Sequence, residues 1–191
     1  HNAPSLLSSQ LEAGMSIQAI KANIKLAISG GQNEPRDAIA GTIGTLLENR
    51  SQLEMIISGT KKWLQAFEEY ARWMSPIGMS PRRIAKKFIY KNVEFYENDM
   101  IFFMFGSANR DEAVFENPDY FDISRDNGPS IAFGAGPHFC AGSWISKTLI
   151  AEVALPLFFS HFPNVYLKKP IKFQGWAFRG PKEVILENRN K

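Results

Sequence analysis

The chain has one cysteine, Cys140, within FGAGPHFCAG (residues 133 to 142), where a glycine-rich coil meets an apolar helical pattern. A thiol at a helix start meets unpaired N–H groups and a partial positive charge, and both favour the thiolate. Gly134, Gly136 and Gly142 let the backbone turn tightly around the sulfur. Phe133 offers a face for a flat partner, and His138 adds a cationic donor. A nucleophilic thiolate would need a general base, and only His1, His138 and His161 are available. A phosphate cradle would need a Lys-Ser/Thr ending, which this loop lacks. A lone cysteine can also be a buried structural one.

A second constellation lies upstream. Gly30-Gly31-Gln32-Asn33-Glu34-Pro35 interrupts a helical pattern that begins with Ser16 as N-cap, runs through Ile17, Ile20, Ile24 and Ile28, and resumes with Ile39, Ile43, Leu46 and Leu47. Pro35 has no N–H for the carbonyl of Gly31, and glycines let another group approach the backbone. Two readings are open. Either one helix near 16 to 48, about 50 Å long at 1.5 Å per residue, carries a groove, or one helix ends near Ser29 and another starts at Pro35.

The remaining elements have to position these two segments. The first ten residues read as a loose loop leading into a helix start, and residues 51 to 73 as one helix with Leu53, Ile56, Leu64, Phe67 and Ala71 on one face. Strands are expected over Phe88–Phe95 and Met100–Phe105, turning at Glu97-Asn98-Asp99. Residues 107 to 139 read as a long ordered coil, which in a compact domain is usually functional. A helix over about Cys140 to Phe159 and short strands around Val165–Leu167 and Val184–Leu186 complete the pattern.

Composition narrows the class. Of 191 residues 45% are hydrophobic and 21% charged, enough for a core, so disordered and low-complexity classes are excluded. The net charge of +3 is dispersed and gives no reason to expect a nucleic-acid partner. One cysteine allows neither an intrachain disulfide nor a cysteine-built zinc site. The longest apolar stretch, Leu149 to Phe159, holds Glu152 and Pro156 and is too short for the roughly 20 residues of a membrane span. No signal peptide is legible and no membrane partner is expected.

The spacing Phe133-x-x-Gly136-x-His138-x-Cys140-x-Gly142 resembles the haem-binding signature of the cytochrome P-450 haem-thiolate monooxygenases. The resemblance implies a mainly α fold with small β-sheets (α+β), of which residues 1–191 would be the C-terminal, haem-binding half of a single domain. It implies haem b with Cys140 as the iron ligand, and Phe133, Gly134, Gly136, His138 and Gly142 as the loop around it. Glu69 and Arg72 match the family's structural Glu-x-x-Arg. Arg82 or Arg83 would meet a haem propionate; Arg83 is favoured, because Arg83-Ile84-Ala85 looks like the family's Arg-x-Ala. Ala108-Asn109-Arg110-Asp111 and Asn117-Pro118-x-x-Phe121-Asp122 resemble the bacterial meander, which implies a cytoplasmic protein. Many relatives have Arg just before that Phe, and here Tyr120 stands instead, so the Glu-x-x-Arg network must close differently or remain a pair.

In the family register Gly30, Gly31, Asn33 and Glu34 occupy the oxygen-binding part of the central helix, with Glu34 where relatives usually have Thr. A carboxyl there could pass protons directly, since burial disfavours its charged form; the other reading is that Glu34 points away and pairs with Arg36 or a Lys. Asn-Glu-Pro resembles a minority of bacterial members, including O-demethylases of guaiacol and alkylguaiacols. The same register implies a substrate pocket of Leu26, Ser29, Gly30, Ile77, Met79 and Phe178, though Phe178 and Trp176 also read as core. The expected function is O₂-dependent oxidation of a small hydrophobic or aromatic substrate, with O-demethylation of a methoxyphenol favoured. The alternatives are hydroxylation of a terpenoid or other small apolar compound, and an inactive, haem-free interaction module. A ferredoxin-type or flavin/iron–sulfur reductase is the expected electron donor; Arg110 and Lys147 are candidates to dock it, although either one alone reads more readily as a solvated surface charge.

Overall fold

A computed structural model describes residues 4–188. The segment expected as a loose loop carries a helix, α1 (Leu6–Glu12), because Ser5 and Ser8 form a reciprocal capping box: Ser5 Oγ accepts from the Ser8 N–H at 3.0 Å, and Ser8 Oγ accepts from the Ser5 N–H at 2.9 Å. Serine in place of the usual Glu or Gln hides this signal in the sequence. Ser16 caps α2 (Ile17–Gly30) as expected, accepting from the Ala19 N–H.

The central segment is two helices, α2 and α3 (Asn33–Glu48), separated at Gly31 and Gln32. The uninterrupted-helix reading is thereby corrected, and the second helix starts two residues earlier than Pro35. Pro35 thus falls in the first turn of α3, where backbone N–H groups have no intrahelical partner and none is lost. A Cβ on Gly31 would stand 2.7 Å from the carbonyl oxygen of Ala27, so the junction needs glycine there.

Residues 51 to 73 likewise divide, into α4 (Arg50–Ile57) and α5 (Trp63–Met74), because Gly59 takes a left-handed conformation (φ +79°). The core joins Ile43, Leu46 and Leu47 of α3 to Phe67, Tyr70 and Met74 of α5, with Ile150, Leu155 and Phe159 from the late helical rod. Gly41 lets α3 approach α5 closely, since a Cβ there would lie 1.9 Å from the Tyr70 hydroxyl.

Strands β1 (Ser80–Arg83), β2 (Phe88–Tyr90), β3 (Val93–Phe95) and β4 (Met100–Phe103) form antiparallel pairs β1–β4 and β2–β3. The strand expected over 88 to 95 is a hairpin, turned by Lys91 and Asn92 at φ +47° and +64°, the consecutive left-handed residues of a tight two-residue turn. After β4 come α6 (Phe105–Ala108), the long coil and a 3₁₀ turn at Gly136–His138. The rod expected from Cys140 runs as α7 (Ser143–Lys147), a π segment over Thr148–Ala154, and α8 (Leu155–His161). Pro156 lies in the first turn of α8 and has no N–H to return to the π segment, which fits the widened turn before it. In the tail β5 (Val165–Leu167) pairs with a strand at Leu186–Asn188 (β8), and β6 (Lys172–Gln174) with β7 (Gly180–Glu183). The expected strand at 184–186 is therefore displaced by two residues.

The coil is ordered by a buried ion pair. Arg72 donates through Nε and Nη2 to both oxygens of Glu69 at 2.8 Å, and neither side chain reaches solvent. Arg72 also donates to the carbonyls of Asn109, Pro118 and Tyr120, at 2.8, 2.9 and 3.2 Å. Arg125 closes the network from five residues beyond Tyr120, donating to Glu69 at 3.4 Å and to the Glu116 and Asn117 carbonyls. Removing one partner would leave a buried charge uncompensated, typically ~3–5 kcal/mol.

Candidate active site

The Cys140 loop is shaped by its glycines. Gly134 and Gly136 take φ +74° and +61°, which L side chains rarely adopt, and the chain doubles back so that the Cys140 N–H donates to the Phe133 carbonyl at 2.8 Å. Gly142 is in an ordinary conformation; its missing side chain leaves room beside the sulfur, where a Cβ would sit 3.8 Å from Sγ. Phe133 is gripped from two sides. Phe67 meets it edge-on with centroids 6.1 Å apart, and Lys147 Nζ lies 5.8 Å from its centroid.

Cys140, Phe133, Gly134 and His138 line a cavity of about 270 Å³. Gly30, Glu34, Pro35 and Ala38 reach it from the α2–α3 junction, and Phe67 and Ala71 from α5. The two segments singled out in the sequence, more than a hundred residues apart, therefore share one space. Ser80 and Arg82 enter from β1, with Pro76, Ile77 and Phe105 beside them.

Glu34 carries the sharpest feature. Its Oε2 is buried and has no hydrogen-bond partner among the described residues. Arg36, its expected alternative partner, pairs instead with Asp37 at 2.7 Å. Unpartnered buried carboxyl oxygens are costly in a fold and call for an explanation.

Arg82, not the favoured Arg83, faces the cavity. Side chains alternate along an extended strand, so Ser80 and Arg82 turn inward while Pro81 and Arg83 are exposed. The Arg82 guanidinium is already fixed, donating to Ser80 Oγ and the Pro81 carbonyl at 2.7 Å each and lying 5.5 Å from the Phe103 ring centroid.

Other expected positions fall outside the cavity. Among the implied pocket residues only Gly30 and Ile77 line it. Leu26 (72% exposed) and Ser29 are exposed on α2, and Gly31 and Asn33 at its junction with α3, and none of them lines the cavity. Met79 is half-buried just before β1 and does not line the cavity. Phe178 is exposed and lines a separate depression with Arg36, Asp37 and Lys182, although its backbone bridges to Ile77. Gly136 and Gly142 shape the loop without lining the cavity. Phe67, Ala71 and Ile150 were legible only as core residues, since helical spacing makes a cavity wall and a core face alike.

The two candidate docking cations are engaged within the chain. Arg110 is bound to Asp119 at 2.6 Å and to the Trp73 carbonyl, and Lys147 to Glu68 at 2.6 Å.

A thiol, a guanidinium and an imidazole on largely apolar walls, with the Glu34 carboxyl and the Ser80 hydroxyl beside them, fit a large apolar cofactor that bears anionic groups and offers a metal to a soft ligand. Comparison with known proteins agrees. Residues 64–176 match the family described as Cytochrome P450. A cytochrome P450 of Bacillus subtilis (strain 168) is 34% identical over 163 residues, 85% of this chain and 40% of that protein. A steroid C26-monooxygenase of Mycolicibacterium smegmatis is 33% identical over 143 residues, 74% of this chain and 36% of that protein. Among solved structures, cytochrome P450 CREJ in complex with (4-ethylphenyl) dihydrogen phosphate superposes with a TM-score of 0.88 at 28% identity, covering 99% of this chain and 49% of that one. The chain thus spans about two fifths of the length of the curated relatives it matches. With the family match running over more than half of its residues and the fold shared almost throughout, the chain belongs to the cytochrome P450 family, whose cofactor is a thiolate-ligated haem.

Proposed function

We propose that the protein is a haem-thiolate monooxygenase that uses O₂ to oxidise a small aromatic or hydrophobic substrate, and that its reaction is O-demethylation of a methoxyphenol of the guaiacol or alkylguaiacol type. The observation that carries this reading is the buried, unpartnered Glu34 carboxyl oxygen on the same cavity as Cys140. Cys140, the chain's one thiol, would hold the haem iron, with Arg82 and His138 taking its propionates. The bound haem supplies O₂ activation, which the thiolate favours by donating electron density toward O–O cleavage.

The chain's own residues then hold the substrate and manage protons. Apolar walls from Ala38, Ala71, Ile77 and Phe105 exclude water and suit an aromatic ring. Glu34 presents Oε2 at the cavity wall, without a donor among the described residues, and relays protons as oxygen is reduced. Hydroxylating the methyl group of an aryl methyl ether consumes O₂, two electrons and two protons and releases water. The hemiacetal then collapses to formaldehyde and a phenol. The electrons would come from a ferredoxin-type or flavin/iron–sulfur reductase. The small alkylated aromatic in the neighbouring CREJ structure supports this substrate class, whereas the steroid C26-monooxygenase relative favours a second reading, hydroxylation of a terpenoid-like apolar compound.

The test uses the full-length protein. Reduced and exposed to CO it should give the strongly red-shifted Soret band of thiolate-bound haem, guaiacol should shift its spin state, and turnover should release formaldehyde. Glu34→Gln should leave the guaiacol titration unchanged and lower formaldehyde formed per NAD(P)H consumed by about tenfold or more. Unchanged coupling would remove Glu34 from proton delivery. Spin-state shifts with terpenoids but not guaiacol would select the second reading.

A further inference from the structure

Lys147 stands seven residues beyond Cys140, and its surroundings explain why it is not a free docking cation. Its Nζ lies 2.6 Å from Glu68 Oε1, and both side chains are about 31% exposed. This pair ties α7 to α5 directly beside the Cys140 loop. The same Nζ sits 5.8 Å from the Phe133 ring centroid, within cation–π range. Phe67, the neighbour of Glu68, also meets that ring, edge-on with centroids 6.1 Å apart. Phe133 in turn accepts the Cys140 N–H at 2.8 Å. One ion pair, one ring and one backbone hydrogen bond therefore form an unbroken path from two helices to the cysteine.

We propose that the Glu68–Lys147 ion pair is a positioning brace that fixes Phe133 against Cys140 and balances the charge beside the iron that this sulfur holds. The inference rests on the haem assignment above. Reduction adds negative charge at the iron. A nearby uncompensated cation favours the reduced state and an uncompensated carboxylate opposes it, the more strongly because the pair is only partly solvated. The intact pair nearly cancels itself, and loss of either member exposes the other.

The experiment is a mediated redox titration of the full-length, haem-loaded protein, with no protein electron donor present. Lys147→Met should lower the midpoint potential and Glu68→Gln should raise it, each read as a several-fold change in the ferrous-to-ferric ratio at fixed poise, in opposite directions. Lys147→Arg should keep the parent value, and the double variant Glu68→Gln/Lys147→Met should return towards it. A purely structural brace would move both single variants the same way, and that result would overturn the proposal. An unmoved potential with a raised KM for the electron donor in Lys147→Met would overturn it in favour of docking. If Lys147→Met fails to load haem, the Glu68→Gln and Lys147→Arg titrations decide alone. A parent protein without the red-shifted CO band would overturn the haem assignment itself, and the brace with it.

Discussion

At the level of single residues, chemistry in this protein depends on which neighbour a side chain lacks. Glu34 has Arg36 two residues away, yet Arg36 turns to Asp37, and one Glu34 carboxyl oxygen is buried without a donor among the described residues. Lys147 and Arg110 show the reverse case, since both look like free surface cations in sequence and both are bound within the fold. Arg82 and Arg83 differ only in strand parity, and that parity separates a cavity residue from a solvated one. Arg82→Leu should therefore weaken haem retention, read as faster haem loss to an apomyoglobin trap, while Arg83→Leu should leave it near the parent rate. Equal loss in both variants would mean that the cavity-facing guanidinium is not what holds the cofactor.

At the level of elements, glycine decides how closely helices meet. Gly41 and Gly44 lie on the same stretch of α3 but face different neighbours. A Cβ at Gly41 would strike the Tyr70 hydroxyl at 1.9 Å and its ring at 2.3 Å, within the fully packed α3–α5 contact. A Cβ at Gly44 would strike the flexible end of Ile171 at 2.2 Å, which can swing aside. Gly41→Ala should thus destabilise by about 1–3 kcal/mol in urea unfolding, and Gly44→Ala by clearly less, part of its cost being offset by the better helix propensity of alanine. An equal effect at both positions would mean that α3 shifts as a body instead of holding its contact with α5. The same two-helix contact raises the pKa of Tyr70, chiefly by burial and then by the nearby Asp37 carboxylate. A raised value means that the folded state keeps its proton while the unfolded chain ionises near pH 10. Tyr70 therefore contributes stability below that pH, and the contribution is lost as pH rises towards the folded value. Tyr70→Phe should flatten this alkaline decline in thermal melts between about pH 9 and 11; a decline as steep as the parent's would place its origin elsewhere.

For the molecule as a whole, the long coil is held in order by one buried network. Arg72 and Arg125, both held by Glu69, donate to carbonyls from Asn109 to Tyr120 that no helix or sheet could satisfy, and so allow an irregular chain to stay ordered. Local chemistry was legible in the sequence: the spacing around Cys140, the glycine–proline break before α3, the Ser16 cap and the Glu69–Arg72 pair are all set within a few residues of one another. Short-range signals also misled where the decisive residue was unusual. Serine completed the first capping box, Gly59 divided an amphipathic run, and Lys91-Asn92 turned a hairpin without glycine. Only the tertiary structure decided that Glu34 and Cys140 face one cavity, that Arg82 rather than Arg83 reaches it, that Arg125 replaces the arginine missing at position 120, and that Leu26 and Phe178 stay outside. Backbone geometry and residue type act over a turn or a strand, so they can be read along the chain. Which side chains share a cavity or a counter-ion depends on contacts between distant segments, whose orientation follows from packing the whole core at once.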